Sequence, residues 1–348
     1  MWRGLLFHPT RSPTDNTAMS NSFHIVAIGG GGGATQVLKA AQPFANHLTA
    51  IIAVTDTGRS TGLARAIGGI PAPGDLRATL AAFATDPLMA RLLQERFSGA
   101  GLPQLEGMAF GNLLIAALTQ VTGDFAAAVA QVSHMVGCAA DVLPVAVIDT
   151  QLCAALADGA IVVGELAVRA LDKPPIERLF LSEQASAHPP ALAAIRAAEL
   201  VVLGPGSLFT TLLASLLFGG MAEALKSSRG KVVYICNTTT QPGQTDRYSA
   251  LDHVRRVTAA LGPGVLDAVL LNSGRPSPAA LARYAADGVL LLQPDDAELA
   301  AIAALGVQPI ARDLAERADE QRILWNKQDS VRHDPTKLSA ALKELVTS

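Results

Sequence analysis

The stretch "VAIGGGGGATQVLKAA", Val26 to Ala41, places five consecutive glycines between an apolar run and a segment of helical composition. A strand that feeds through such a loop into a helix leaves the helix's first N–H groups unpaired. It aims them, with the positive end of the helix dipole, at whatever occupies the loop. Glycine lets the backbone approach a phosphate closely and tolerates positive φ. Gly29-x-Gly31-x-x-Ala34 also satisfies the looser dinucleotide-binding fingerprint. The competing reading is a tight turn that only packs helix on sheet. Such a turn needs fewer glycines than Gly29, Gly30, Gly31, Gly32 and Gly33, each of which costs conformational entropy. Phosphate binding is therefore the expectation, with contact to the backbone at Gly31.

The remaining chain reads as alternating strands and helices. Apolar runs at Phe23–Ile28, Leu48–Val54, Leu200–Leu203, Val232–Cys236, Leu266–Leu271 and Val289–Leu292 suit strands buried on both faces of a parallel sheet. Helical segments lie between them, among them Ala34–Ala41, Asp75–Phe83, Leu113–Val121, Phe125–Met135 and Ala250–Leu261. That alternation predicts a Rossmann-like, doubly wound α/β fold. One region breaks the rhythm. Asp149–Val168 reads as two strands joined at Asp158-Gly159, and "IERLFLS" as a third, so a small antiparallel insertion is expected over about 142–182.

Composition narrows the function. Hydrophobic residues make up 50% of the 348, enough for a large core, while aromatics at 4% offer little stacking surface for single-stranded nucleic acid. A net charge of −3 with no dense basic run argues against nucleic-acid binding. The three cysteines are far apart, fit neither a disulfide framework nor zinc spacing, and suit a reducing cytoplasm. Residues 1–22 are rich in Pro, Ser, Thr and Asn, and their apolar piece is too short for a signal peptide. They are expected to be a disordered tail before a single domain at 23–348, with Met19 as an alternative start. Leu200 to Ala222 is uncharged and long enough to span a bilayer, but Gly204-Pro205-Gly206-Ser207 would break a membrane helix. It reads as buried strand, turn and helix, so no membrane insertion is expected.

Ligands of open parallel sheets bind beyond the carboxyl ends of the strands, which directs attention to the loops there. "VTDTGRSTG" offers Thr55, Asp56, Arg59 and Ser60: a carboxylate for a metal, a proton or a ribose, and a cation and hydroxyls for phosphate. The plainer reading is an Asx turn followed by a helix cap. "IPAPGDLRA" contributes Asp75 and Arg77, and "GMAFGNLL" contributes Asn112, which could equally cap a helix. "GPGSLFTT" repeats the strand–glycine–helix design with Gly206, Ser207 and Thr210. "NTTTQPGQTDRYSALDHV" groups Asn237, Thr240, Gln241 and Thr245. Each of these loops is also ordinary turn chemistry; their shared place at strand ends is what joins them. No histidine spacing suits a zinc site, and neither a nucleophile elbow nor a Walker lysine is present.

These stretches, in this order from Ile25 to Pro335, resemble the gluconeogenesis-factor (YvcK-like) proteins and their relative 2-phospho-L-lactate transferase (CofD). The likeness is carried by "IGGGGGATQVLKA", "TDTGRSTG", "PAPGDLRA", "FGNLLIAALTQVTGDF", "DGAIVVGE", "LGPGSLFTTLLASLL", "NTTTQPGQTDRYSALDHV" and "VRHDPTKL", and it is nearer to the YvcK-like branch. It implies a Rossmann-like fold whose pocket lies at the sheet's carboxyl edge. YvcK-like proteins bind UDP-sugars such as UDP-N-acetylglucosamine and influence carbon use, cell-wall supply and cell shape. The sister transferases move a phospholactyl group from a nucleotide-activated donor, aided by Mg2+. On matched positions the resemblance implies that Gly29 to Gly33, Asp56, Asp75, Asn112, Gly206, Ser207 and Asn237 line the site. It implies nucleotide-sugar contacts at Tyr284 and Arg332.

Departures from the family pattern matter. The family's paired aspartates are here Asp56-Thr57, and Arg59 stands for a glycine. One carboxylate makes a weaker Mg2+ site than two. An amide is lost at Ala78, a histidine at Met108 and a carboxylate at Gln244. The first expectation is a cytoplasmic UDP-sugar-binding regulatory protein. The second is a transferase, with Asp56 holding Mg2+ and Arg59 or Arg77 stabilising transition-state charge. The third is an NADP-dependent reductase, which lacks a Tyr-x-x-x-Lys pair. Mg2+ is the one metal considered, no tightly bound organic cofactor is expected, and a symmetric homodimer is the expected assembly.

Overall fold

The chain, in a computed structural model, is described over residues 22–98, 105–316 and 332–347. The tail expected over residues 1–22 lies outside these apart from its last residue. The described residues form ten strands: β1 (His24–Gly29), β2 (His47–Ile52), β3 (Asp141–Pro144), β4 (Leu152–Leu156), β5 (Ile161–Val163), β6 (Ile176–Leu181), β7 (Leu200–Leu203), β8 (Lys231–Ile235), β9 (Ala268–Asn272) and β10 (Gln308–Arg312). Seven of them make one sheet in the order β10-β9-β8-β7-β1-β2-β3, and every pairing in it is parallel. The chain starts at the centre on β1, moves outward through β2 and β3, then returns to the other side of β1 with β7. Strand order reverses there, so the fold is the expected doubly wound α/β arrangement with its crevice between the ends of β1 and β7.

Burial explains why these runs became strands. Ile25, Ile28, Ile51, Ile52 and Val201 are wholly buried, as strands covered on both faces must be. Each such side chain contributes about 1.5–3 kcal/mol by leaving water. The helices that place the crevice are α1 (Gly31–Ala41), α2 (Arg59–Gly68), α3 (Gly74–Phe83), α4 (Pro87–Gln94), α5 (Phe110–Thr122), α6 (Phe125–Met135) and the short α7 (Glu165–Val168). α1 packs on β1 and β2, and against α3 and the C-terminal helix Pro335–Thr347. No helix among the described residues is long and apolar enough to cross a membrane.

The second sheet is antiparallel, in the order β5-β4-β6. Its hairpin turns at Asp158-Gly159 as expected: Gly159 has φ 85°, and Asp158 Oδ1 accepts the Ala160 N–H at 3.0 Å. The insertion starts later than position 142, because Val142 to Pro144 pair with β2 in the main sheet. One expected strand needs correction, and one strand was not expected. Val289–Leu292 is not a strand of the main sheet. It is tied to the loop after β8, where the Thr240 N–H donates to the Leu290 carbonyl and the Leu290 N–H to Thr240 Oγ1, both at 2.8 Å. The outer strand is β10, whose exposed polar ends hid it from a search for apolar runs.

His333 is buried beside Cys236. Its main-chain carbonyl accepts the Gln36 side-chain amide at 2.5 Å, and its Nε2 has no partner among the described residues. Burial pulls the imidazole down to about 4, opposed by a hydrogen bond to the Cys236 main chain. Because the unfolded chain binds the proton more readily, this contribution is intact above the ordinary histidine range near 6.5. It is lost as pH falls from there towards 4. Of the fall in unfolding free energy from pH 7 to pH 5, His333→Gln should remove about 2 kcal/mol. Urea unfolding of both proteins at the two pH values measures this; parallel slopes would refute it.

Candidate functional site

At the crevice the glycine loop opens α1. Gly29 closes β1, Gly30 is the extended N-cap with no side-chain cap, and Gly31 to Gly33 form the first helical turn. None of the five has positive φ, so their use here is close approach rather than unusual backbone. A Cβ at Gly33 would sit 1.8 Å from the Pro205 carbonyl oxygen, one at Gly31 2.8 Å from the Asp75 carbonyl oxygen, and one at Gly30 2.7 Å from the Asp75 carboxylate. Gly32 alone among them is open: a Cβ there meets nothing within 4 Å, whereas one at Gly29 would make ordinary contacts. These glycines seat the β7 loop and α3 against α1, and Gly32 faces a cleft of about 320 Å³.

The opposite wall is the loop after β7. Gly206, at φ 146°, lines the cleft. Ser207 Oγ accepts from the Thr210 N–H at 3.2 Å and the Thr210 hydroxyl at 2.7 Å, and donates to Gln244 Oε1 at 2.7 Å. It thereby caps a π-helical turn, Leu208–Leu213, a conformation frequent at functional sites. Gln241 also lines the cleft, and its Oε1 is buried without a partner among the described residues, as are Thr55 Oγ1, Asn237 Oδ1 and Thr239 Oγ1. Unpaired buried acceptors on this scale at strand ends are unusual in a folded protein.

The charged lining consists of Asp56, Asp75, Glu165 and Arg169 among the described residues. Burial pushes the Asp75 carboxyl up; the Gly31 N–H bonded to it opposes this, the Asp56 charge reinforces it and Arg77 opposes it. Glu165 is 5% exposed. Its carboxyl is raised by burial, lowered by Arg169 and raised again by Asp56. Arg169 Nη1 donates to Glu165 Oε1 at 3.0 Å, while Glu165 Oε2 has no partner among the described residues. Asp56 Oδ1 accepts the Gly58 N–H at 2.9 Å. The loop carrying Asp56 is clamped by Arg65 of α2, which donates to the Thr55 and Asp56 carbonyls at 3.2 and 3.0 Å and to the Thr150 carbonyl at 2.9 Å.

Other residues singled out in the sequence sit elsewhere. Ser60, Arg77 and Asn112 bind one another between α2, α3 and α5. Arg77 Nε donates to Asn112 Oδ1 at 3.0 Å, and Asn112 Nδ2 to Ser60 Oγ at 2.9 Å. Burial lowers the Arg77 guanidinium to about 10, with Arg96 adding to the effect and Asp75 opposing it. None of these three is among the described residues that line the cleft, and neither are Thr55, Asn237, Thr240, Tyr284 or Arg332. Tyr284 is half-buried on the helix Pro278–Ala286, and Arg332 is exposed beside His333. The Arg59 side chain lies outside what is described. Glu165 and Arg169 were not singled out. Their signals are the place of Glu165 at the end of "DGAIVVGE" and the acid–base pair it makes with Arg169 at i, i+4.

No three metal-ligating side chains come together among the described residues. The cleft therefore suits Mg2+ only in the mode that uses one or two carboxylates and completes its shell with ligand oxygens and water.

Comparison with known proteins is consistent throughout. The sequence matches the family described as 2-phospho-L-lactate transferase CofD over residues 25–315. It is 36% identical over 324 residues to a gluconeogenesis factor of Halalkalibacterium halodurans, covering 92% of this chain and 96% of that protein. It is 36% identical over 330 residues to the gluconeogenesis factor of Bacillus subtilis, covering 94% and 99%. A crystal structure from Bacillus halodurans superposes with a TM-score of 0.84 at 36% identity, over 93% of this chain and 100% of that one.

Proposed function

The chain belongs to the CofD family, and from that premise we propose that its cleft binds a nucleotide sugar, in a regulatory protein of the gluconeogenesis-factor type. The observation that carries this reading is the first turn of α1, open at Gly32, which lines the cleft together with Gly206. The Gly31 N–H is taken by Asp75, and the helix dipole and the rest of that turn favour a diphosphate. The acceptor Gln241 Oε1, which lines the cleft and has no partner among the described residues, suits a donor on a base or a sugar. The names of the relatives support a role in carbon metabolism. Links to cell-wall supply and cell shape, and a cytoplasmic setting, belong to the same proposal.

A second reading, a Mg2+-assisted transferase, is favoured by one observation. Glu165 stands beside Asp56 and supplies in space the second carboxylate that Thr57 removes from the sequence. Asp56 and Glu165 would then hold the ion together with ligand phosphate, and the ion would neutralise phosphate charge there.

A ligand that binds only the folded chain stabilises it by about 2.7 kcal/mol at a hundredfold excess over Kd, enough to raise Tm by roughly a few degrees. The panel is UDP-N-acetylglucosamine, UDP-glucose, GDP, GTP and NADPH, each with and without Mg2+. The expected result is a rise with a UDP-sugar that does not require Mg2+, and none with NADPH. A rise confined to guanine nucleotides with Mg2+ moves the assignment to the transferase, and no response to any nucleotide ends both readings.

A further inference from the structure

The cleft poses an electrostatic problem. Its described charged lining is three carboxylates, Asp56, Asp75 and Glu165, against one guanidinium, Arg169. A polyphosphate entering such a site meets like charge unless a cation faces it, and the helix terminus supplies only about half a positive charge. We propose that Arg169, delivered by the inserted antiparallel unit, is the residue that binds the ligand's phosphate in this cleft, with Glu165 holding it in place. The inference rests on the nucleotide-sugar reading for the identity of the whole ligand, but its own content is a phosphate site.

Three features support it. The first is position: Arg169 follows directly on α7 and lines the same cleft as the first turn of α1. The second is preorganisation. The ion pair with Glu165 spans i, i+4 at 3.0 Å, Glu165 is 93% shielded from solvent, and the Arg169 side chain keeps 29% of its surface exposed. That bond engages one of the five guanidinium donors, and a planar fork suits bidentate contact with phosphate. The third is anchorage. Lys173 Nζ donates to the Gly243 carbonyl at 2.5 Å, and a Cβ at Gly243 would lie 2.5 Å from the Ala170 carbonyl oxygen. The backbone on the C-terminal side of Arg169 is thus packed against the loop that carries Gln241, and that loop shares the cleft. Glu165 Oε2, buried and without a partner among the described residues, is left to accept from a ligand hydroxyl next to the phosphate.

The test is isothermal calorimetry on the full chain with three probes: inorganic pyrophosphate, UDP-N-acetylglucosamine and uridine. The proteins are wild type, Arg169→Gln, Arg169→Lys and the double variant Glu165→Gln/Arg169→Gln. The double variant removes both charges together, so it keeps the test alive should the single variant leave Glu165 unpaired and fold poorly. Losing a charge-assisted hydrogen bond should weaken pyrophosphate and UDP-sugar binding by about tenfold or more. Arg169→Lys should recover part of the loss, and uridine binding should not change. Wild-type affinity for both phosphates in the folded double variant would overturn the role of Arg169 and leave the nucleotide-sugar reading standing. Arg169-dependent binding of pyrophosphate without any binding of the UDP-sugar would uphold the phosphate site and end that reading. Binding of neither phosphate by wild type would overturn both.

Discussion

Gly33→Ala is expected to lower the unfolding free energy by about 3 kcal/mol, and Gly32→Ala, one residue earlier, to leave it unchanged or slightly raised. The contrast comes from what each new methyl would meet. At Gly33 it would lie 1.8 Å from the Pro205 carbonyl oxygen, a backbone atom that cannot move without shifting the loop after β7. At Gly32 it would enter the open cleft, and alanine is the better helix former. The ligand should discriminate in the opposite sense. Gly32→Ala places a methyl where a phosphate would touch the backbone, so affinity should fall about tenfold or more while the fold is intact. Urea denaturation and calorimetry on both variants check this. Equal stability losses at the two positions would mean that the glycines are not divided between packing and ligand access.

Arg65→Leu should cost about 3 kcal/mol as well. Arg65 is 5% exposed, and its guanidinium serves the Thr55, Asp56 and Thr150 carbonyls as well as Asp149. Leucine replaces the packing volume of the stem but leaves these acceptors without their donor, and each buried unsatisfied group costs about 1–3 kcal/mol. The ion pair itself matters less, since Asp149 keeps 36% of its side chain exposed. Asp149→Asn should therefore cost under about 1 kcal/mol. A large loss in Asp149→Asn and a small one in Arg65→Leu would reverse the assignment of what holds the Asp56 loop.

Much of the scaffold was legible because buried parallel strands and capped helices are local signals. Leu200–Leu203 matches its expected range, as do Phe125–Met135 after the Asp124 cap and Ala250–Leu261 after the Ser249 capping box. The short strand Asp141–Pro144 was absorbed into the insertion because its four residues carry no period long enough to read. The site divides in the same way. The glycine loop and the Gly206-Ser207 loop announce themselves through composition, and both line the cleft. Which glycine packs and which one opens depends on Pro205 and Asp75, residues remote in sequence, so a local reading cannot tell Gly31, close against Asp75, from Gly32, which has room for a side chain. Glu165 and Arg169 flank a helix of four residues, too short to show amphipathic spacing. For Ser60, Arg77 and Asn112, a polar side chain near a strand end looks alike whether it meets a ligand or a neighbouring side chain. Tertiary packing decides between the two.

The return of the chain from β3 to β7 also has a consequence for its synthesis. β1 is a central strand that needs β2 on one side and β7 on the other. β2 follows at once, but β7 begins only at Leu200, after all the intervening helices and the inserted sheet. At roughly 5–20 residues per second, a ribosome takes roughly ten to thirty seconds to make that stretch. Throughout that interval one edge of β1 leaves its backbone N–H and C=O groups without the β7 strand, the condition under which nascent strands pair with the wrong chain. The centre of the sheet, which carries the glycine loop, is thus translated well before β7 and cannot close until β7 arrives.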